Sequence, residues 1–124
     1  YASQRDKQKG EAFVHGFTLA MTSQCQFYRP ISELDNDGGY ADIFLAPLCD
    51  IYKDMTDSYI VELKYCKSNT TDEQAKQLFE DAKAQICRYA DSDIVREAVK
   101  TTKLHKLVVI YRGTEMVVCK EVNA

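Results

Sequence analysis

The sequence predicts an α/β domain, a mixed sheet covered by helices on its faces. Two observations predict it. Stretches of helical and of strand periodicity follow one another in the order helix, three strands, helix, strands. The 124 residues also suit a single core, with 45% apolar and 28% charged side chains close to the globular average. No repeat or low-complexity segment interrupts them. No apolar run approaches the roughly 18 residues of a membrane span, and no basic start with an apolar stretch marks a signal peptide. One soluble domain over residues 1–124 is therefore expected. Because it begins at Tyr1 without a methionine, it is expected to be cut from a longer protein.

From Asp6 to Ser23, Phe13, Phe17, Ala20 and Met21 recur at helical spacing, with Glu11, His15, Thr18 and Thr22 opposite, which predicts an amphipathic helix. Cys25 to Ile31 reads as a short strand that Pro30 limits. The polar run Glu33 to Gly39 predicts a turn leading into a strand over Tyr40 to Leu45, a hairpin. Tyr59 to Tyr65 has β-branched and aromatic strand content, interrupted by two charges. Thr71 or Asp72 can cap a long helix over Glu73 to Ala90, where Ala75, Leu78, Phe79, Ala82, Ile86 and Tyr89 form the apolar stripe. A shorter helix is expected at Ile94 to Lys100. Strands over Lys106 to Tyr111 and Glu115 to Val122 close the chain, with Gly113 in the tight turn between them.

The net charge of −3 argues against general phosphate coating, so a polyanion would have to meet a local patch. Five cysteines, an odd number with no C-x-x-C pair, signal neither a disulfide framework nor a zinc ribbon. Reduced, mostly buried thiols and an intracellular, cytoplasmic setting are expected. His15 and His105 have no second histidine at ligand spacing. The stretch from Glu33 to Gly38 imitates the start of a calcium loop, but its twelfth position is Phe44 where a bidentate Glu is needed, so calcium binding is rejected.

The two charges of the third strand carry the chemistry. Residues two apart on a strand share a face, so Glu62 and Lys64 project together while Val61, Leu63 and Tyr65 line the other side. With 19 acids in the chain, chance supplies about two acid-x-Lys triplets. The other, Asp81 to Lys83, falls on the long helix, where positions two apart do not face each other. If the preceding strand pairs with this one, Asp42 and Glu62 can lie roughly 5 Å apart on one face. Carboxylates that close repel, and a hard divalent cation, Mg²⁺ or Mn²⁺ rather than Zn²⁺, relieves the repulsion.

Three segments, Gly38-Gly39-Tyr40-Ala41-Asp42, Ile60-Val61-Glu62-Leu63-Lys64 and Gln85-Ile86-Cys87-Arg88-Tyr89, together resemble the PD-(D/E)XK nuclease superfamily. The likeness is greatest to the group found C-terminal to a predicted AAA-type ATPase domain in bacterial proteins. The resemblance implies a restriction-endonuclease-like αβββαβ core with a four- to five-stranded mixed sheet flanked by helices. It also implies an ATPase domain in the same polypeptide. Asp42 and Glu62 would ligate Mg²⁺ or Mn²⁺ with the Leu63 main-chain carbonyl, and Lys64 would orient or deprotonate the attacking water. Gln85 and Tyr89 would border the site. Glu11 resembles the acid that many members carry on the first helix, and Glu33 a polar residue before the glycine turn. The motif's proline before the aspartate is Ala41 here.

The chemistry implied is metal-dependent hydrolysis of a phosphodiester in nucleic acid, DNA ahead of RNA. Lys53, Arg88, Lys103 and Lys106 are the candidate phosphate contacts. The competing reading is a nuclease fold that no longer cuts and instead binds nucleic acid or a protein partner for the attached ATPase. A plainer one treats Glu62 and Lys64 as an ion pair on a solvated strand face, contributing about 0–1 kcal/mol.

Overall fold

The computed structural model describes residues 26–34 and 40–123. Within them five strands form one sheet in chain order: β1 (Tyr28–Leu34), β2 (Tyr40–Pro47), β3 (Asp57–Cys66), β4 (Lys103–Arg112) and β5 (Glu115–Glu121). Every neighbouring pair is antiparallel except β3 and β4, which run parallel. A parallel pair needs a long crossover, and helices α1 (Asp72–Ala90) and α2 (Asp93–Val99) supply it. The expected mixed, helix-flanked sheet is thus present. The expected helix from Asp6 to Ser23, with Glu11, and the turn from Asp35 to Gly39 lie outside the described residues.

Strand ends differ from the sequence reading by one to three residues, most in β1 and β4. β1 starts and ends three residues later than Cys25 to Ile31, so Glu33 belongs to the strand rather than to a turn. Pro30 sits inside it, opposite Leu45. Its missing amide is tolerated because β1 is an edge strand of the described sheet. β4 begins at Lys103, not Lys106, because its parallel register with β3 starts at the Asp57–Lys103 pair. Polar Lys103 and His105 hide that extension from hydropathy.

The two faces separate by alternation. Phe44, Ile60, Val108 and Ile110 project beneath the helices and pack with Ala82 and Ile86 of α1 and Val95 of α2. Each such side chain fully buried contributes about 1.5–3 kcal/mol. Tyr59, Val61, Leu63, His105, Leu107 and Val109 take the other face. The start of α1 is fixed by a capping box: Thr71 Oγ1 accepts from the Gln74 amide at 3.2 Å, and Gln74 Oε1 accepts from the Thr71 amide at 3.1 Å. Arg112 ties that turn to the end of β4, donating to Asp72 Oδ1 at 3.0 Å. Under α2, Thr102 Oγ1 donates to the Val99 carbonyl and lies 3.0 Å from Ser58 Oγ, from which it accepts, so both buried hydroxyls are satisfied.

The cysteines are less buried than expected. All described ones are free, yet only Cys66 is buried, and Cys119 on the outer strand β5 is exposed. No helix among the described residues is long and apolar enough to cross a membrane.

Two backbone positions with φ in the left-handed range bracket β4. Gly113 (φ 64°) opens the two-residue turn into β5, and a Cβ added there would lie 3.2 Å from Ser68 Cβ. Lys100 (φ 51°), between α2 and β4, adopts such a conformation with a side chain. Opposite outcomes are expected in urea unfolding: Gly113→Ala should lose about 1–2 kcal/mol, and Lys100→Gly should gain about 1 kcal/mol.

Candidate active site

The centre of the sheet carries the charged residues singled out in the sequence. β2 and β3 pair with Asp42 directly opposite Glu62, and residues so paired lie on one face. β3 in turn sets Glu62 opposite Val108, and β4 sets Val108 opposite Lys120. One row across four strands therefore holds Asp42, Glu62, Val108 and Lys120, beneath the helices. Glu62 has 0% exposure. Lys64, the next residue on that face of β3, brings Nζ to 3.7 Å from Glu62 Oε1 with its side chain 11% exposed. The plain reading of a solvated ion pair is thereby overturned. A pair at this depth is removed from water, where losing one partner is costly.

α1 brings the helix motif over β2. The Tyr89 ring stands edge-on to Phe44, centroids 6.5 Å apart, and Phe44 is two residues along β2 from Asp42 on the same face. Gln85 lies one turn earlier, half-buried, beside buried Ile86. Leu63, whose carbonyl was expected to help hold a metal, is buried between Glu62 and Lys64 with its side chain on the opposite face. The side chains of Glu33 and Asp42 and all of Glu11 lie outside what is described.

The candidate phosphate contacts do not converge. Arg88 is exposed in the last turn of α1, and Lys53 is exposed in the loop before β3. Lys103 is exposed at the start of β4, on the face away from Glu62. Lys106 is the one on the Glu62 face, opposite Ile60. A groove of about 650 Å³ lies farther along the sheet, between α1 and β5, lined by Lys76, Phe79, Arg112, Val118 and Lys120 among others. No member of the three motifs lines it.

Among the described residues, no three His, Cys, Asp or Glu side chains form a cluster able to hold a metal. The donor set at Glu62 is oxygen-only, one carboxylate with a second acid opposite in register and a main-chain carbonyl adjacent. That chemistry fits a hard divalent ion and not zinc.

Sequence reasoning missed a second charged cluster, at the other end of β3. His105 Nε2 lies 2.6 Å from Asp57 Oδ1 and Nδ1 lies 3.0 Å from Glu121 Oε2. Those partners are 48 and 16 residues away, so no local spacing could reveal them.

Comparison with known families places the chain as a whole. The model of the PD-(D/E)XK nuclease superfamily matches residues 9–121, nearly the whole chain. The chain belongs to that superfamily, whose nucleases generally use divalent metal ions and act on nucleic acid. Comparison with curated proteins and with solved structures gave no significant match.

The Glu62–Lys64 contact makes a stability prediction. Lys64→Met should cost about 3 kcal/mol by stranding a buried carboxylate, and under about 1 kcal/mol in a Glu62→Gln background. Urea unfolding of the four proteins completes the cycle.

Proposed function

We propose that this domain is a metal-dependent nuclease that hydrolyses phosphodiester bonds in nucleic acid, with Asp42, Glu62 and Lys64 as its catalytic residues. The observation that carries the reading is the register of Asp42 against Glu62, with Lys64 on the same face of β3. Asp42, Glu62 and the Leu63 carbonyl would hold Mg²⁺ or Mn²⁺, with Glu11 as a further acid from the N-terminal segment. The bound ion would supply charge neutralisation at the phosphoryl oxygens and a more acidic water. Glu62 contributes a carboxylate already stripped of water, so its field acts undiluted on whatever enters. Lys64, at 3.7 Å from that carboxylate, is placed to orient the attacking water or take its proton. Gln85 and Tyr89 border the site from α1, with Glu33 as a more distant border residue. Arg88, Lys53, Lys103 and Lys106 are the proposed phosphate contacts. Lys106 is favoured among them because it shares the Glu62 face. The substrate proposed is DNA ahead of RNA.

The family resemblance supports a bacterial, cytoplasmic protein in which residues 1–124 form one domain attached to an AAA-type ATPase. A second reading has one observation in its favour. The complete burial of Glu62 and the scatter of basic groups suit a nuclease fold that no longer cuts and serves as a nucleic-acid or protein-binding module.

Metal binding separates the readings without any substrate. A site built by both acids should raise the unfolding free energy by about 2.7 kcal/mol at a Mn²⁺ concentration 100 times its Kd. Asp42→Asn and Glu62→Gln should each abolish that gain in thermal denaturation.

Cleavage is the direct test. Single- and double-stranded DNA and RNA with Mn²⁺ should be cut, and Asp42→Asn or Lys64→Ala should slow cutting by about 100-fold or more. An inert wild-type protein that also shows no metal-linked stabilisation would leave the binding module as the correct reading.

A further inference from the structure

We propose that Asp57, His105 and Glu121 form a proton-operated latch that fastens the outer strand β5 to the sheet, closed while His105 is an imidazolium and opened when it deprotonates. The inference stands apart from the nuclease reading, because the cluster lies on the opposite face of β3 from Glu62 and toward the other end of the strand.

Hydrogen-bond arithmetic carries it. Nε2 and Nδ1 of His105 each face a carboxylate oxygen, at 2.6 Å and 3.0 Å. An ionised carboxylate only accepts, and a neutral imidazole has one N–H, so both contacts coexist only when the ring carries two protons. Asp57 is held as an acceptor from a second side as well, since Thr56 Oγ1 donates to Oδ2 at 2.6 Å. The register explains how one ring reaches two strands. Asp57 pairs with Lys103 and Glu121 pairs with Leu107, placing each acid diagonally two residues from His105 on the same face.

The ring is held from the side too. It stacks on Tyr59, centroids 4.9 Å apart and planes 20° apart. Tyr59 in turn meets the edge of Tyr28, whose hydroxyl donates to the Asp57 carbonyl at 2.8 Å. Among the described residues, the groups facing His105 are therefore Asp57 and Tyr59 from β3, Glu121 from β5, and Lys103 from β4, which acts on Asp57. Lys106 and Lys120 belong to the other face.

The latch opens on one side. A neutral ring keeps one N–H, and Asp57 is the shorter contact. The Nδ1 lone pair is then left against Glu121, whose side chain is 43% exposed and can turn to water. Glu121 ends β5, and the next residue, Val122, is buried in the core with its amide bonded to the Lys106 carbonyl at 2.8 Å. Losing Glu121 therefore loosens the end of a strand that, among the described residues, has a partner on one side only.

The pH window follows from the two titrations. Hydrogen bonds from Asp57 and then Glu121 raise His105 above its ordinary 6.5, so its contribution is complete below that value and is lost as pH rises through the raised one. Hydrogen bonds from Thr56 and then His105 lower Asp57 below its ordinary 3.8, so its contribution is present above that value and is lost as pH falls through the lowered one. The latch is closed between these two limits.

The test uses the full chain. The imidazole titration of His105 is followed by NMR, and amide exchange of Val118 to Lys120 is measured on either side of its midpoint, corrected for intrinsic base catalysis. The midpoint should exceed 6.5, and protection in β5 should fall on the order of tenfold per unit of that excess. Glu121→Gln should lower the midpoint and leave β5 exchange flat across it. His105→Asn should give the same flat profile. If His105→Asn does not fold, the exposed-site variant Glu121→Gln still decides. A midpoint at or below 6.5, or protection that ignores the titration in the wild type, overturns the latch.

Discussion

A carboxylate fully buried at the middle of β3 is the constraint around which the sheet is arranged. Taking an ion of that size from water costs several kcal/mol even after relaxation, a large fraction of the 5–15 kcal/mol by which domains are usually stable. An apolar side chain in the same place would pack with Ile60 and Val108 at no such cost. A buried ion pair is weak evidence for stability and is often replaceable by hydrophobic residues. The acid at this position, with Lys64 beside it and a second acid opposite in register, is therefore better explained by what it can do than by what it holds together.

How much of this was legible depends on the range of the interaction. α1 was readable because its stripe and the Thr71 cap are local, repeating every three or four residues. Asp42 and Glu62 were readable as a pair because the pleat fixes faces and three short motifs gave the strand order. The limits of β1 and β4 were not, because pairing rather than hydropathy sets them. Pro30 is harmless on an edge, and Lys103 joins a strand whose register is dictated by Asp57. The depth of Glu62 was also hidden, since burial depends on how α1, which follows β3 in the chain, packs back over that strand. His105 was illegible for the same reason in stronger form, with both partners brought in by tertiary pairing alone.

β3 carries two electrostatic systems that do not interfere. Asp57 and His105 use one face near the start of the strand, and Glu62 and Lys64 use the other face beyond its middle. Alternation separates them, and exposure sets their character. Asp57 and Glu121 are 38% and 43% exposed, so that cluster is softened by solvent and salt and can respond to pH. Glu62, fully buried, has no such screening.

Topology also decides from which side a substrate could approach. β3 and β4 run parallel, and ligands of open α/β sheets meet the carboxyl ends of such strands. Lys64 lies toward that end of β3, and β2, being antiparallel, places its own beginning and Asp42 there as well. Lys64 also retains the small exposure that Glu62 lacks. The latch occupies the amino ends of β3 and β4, where no motif residue falls. A phosphodiester reaching Glu62 from that end would therefore come past Lys64, and under the nuclease reading the lysine proposed to position the water would also be the group that a phosphate meets first.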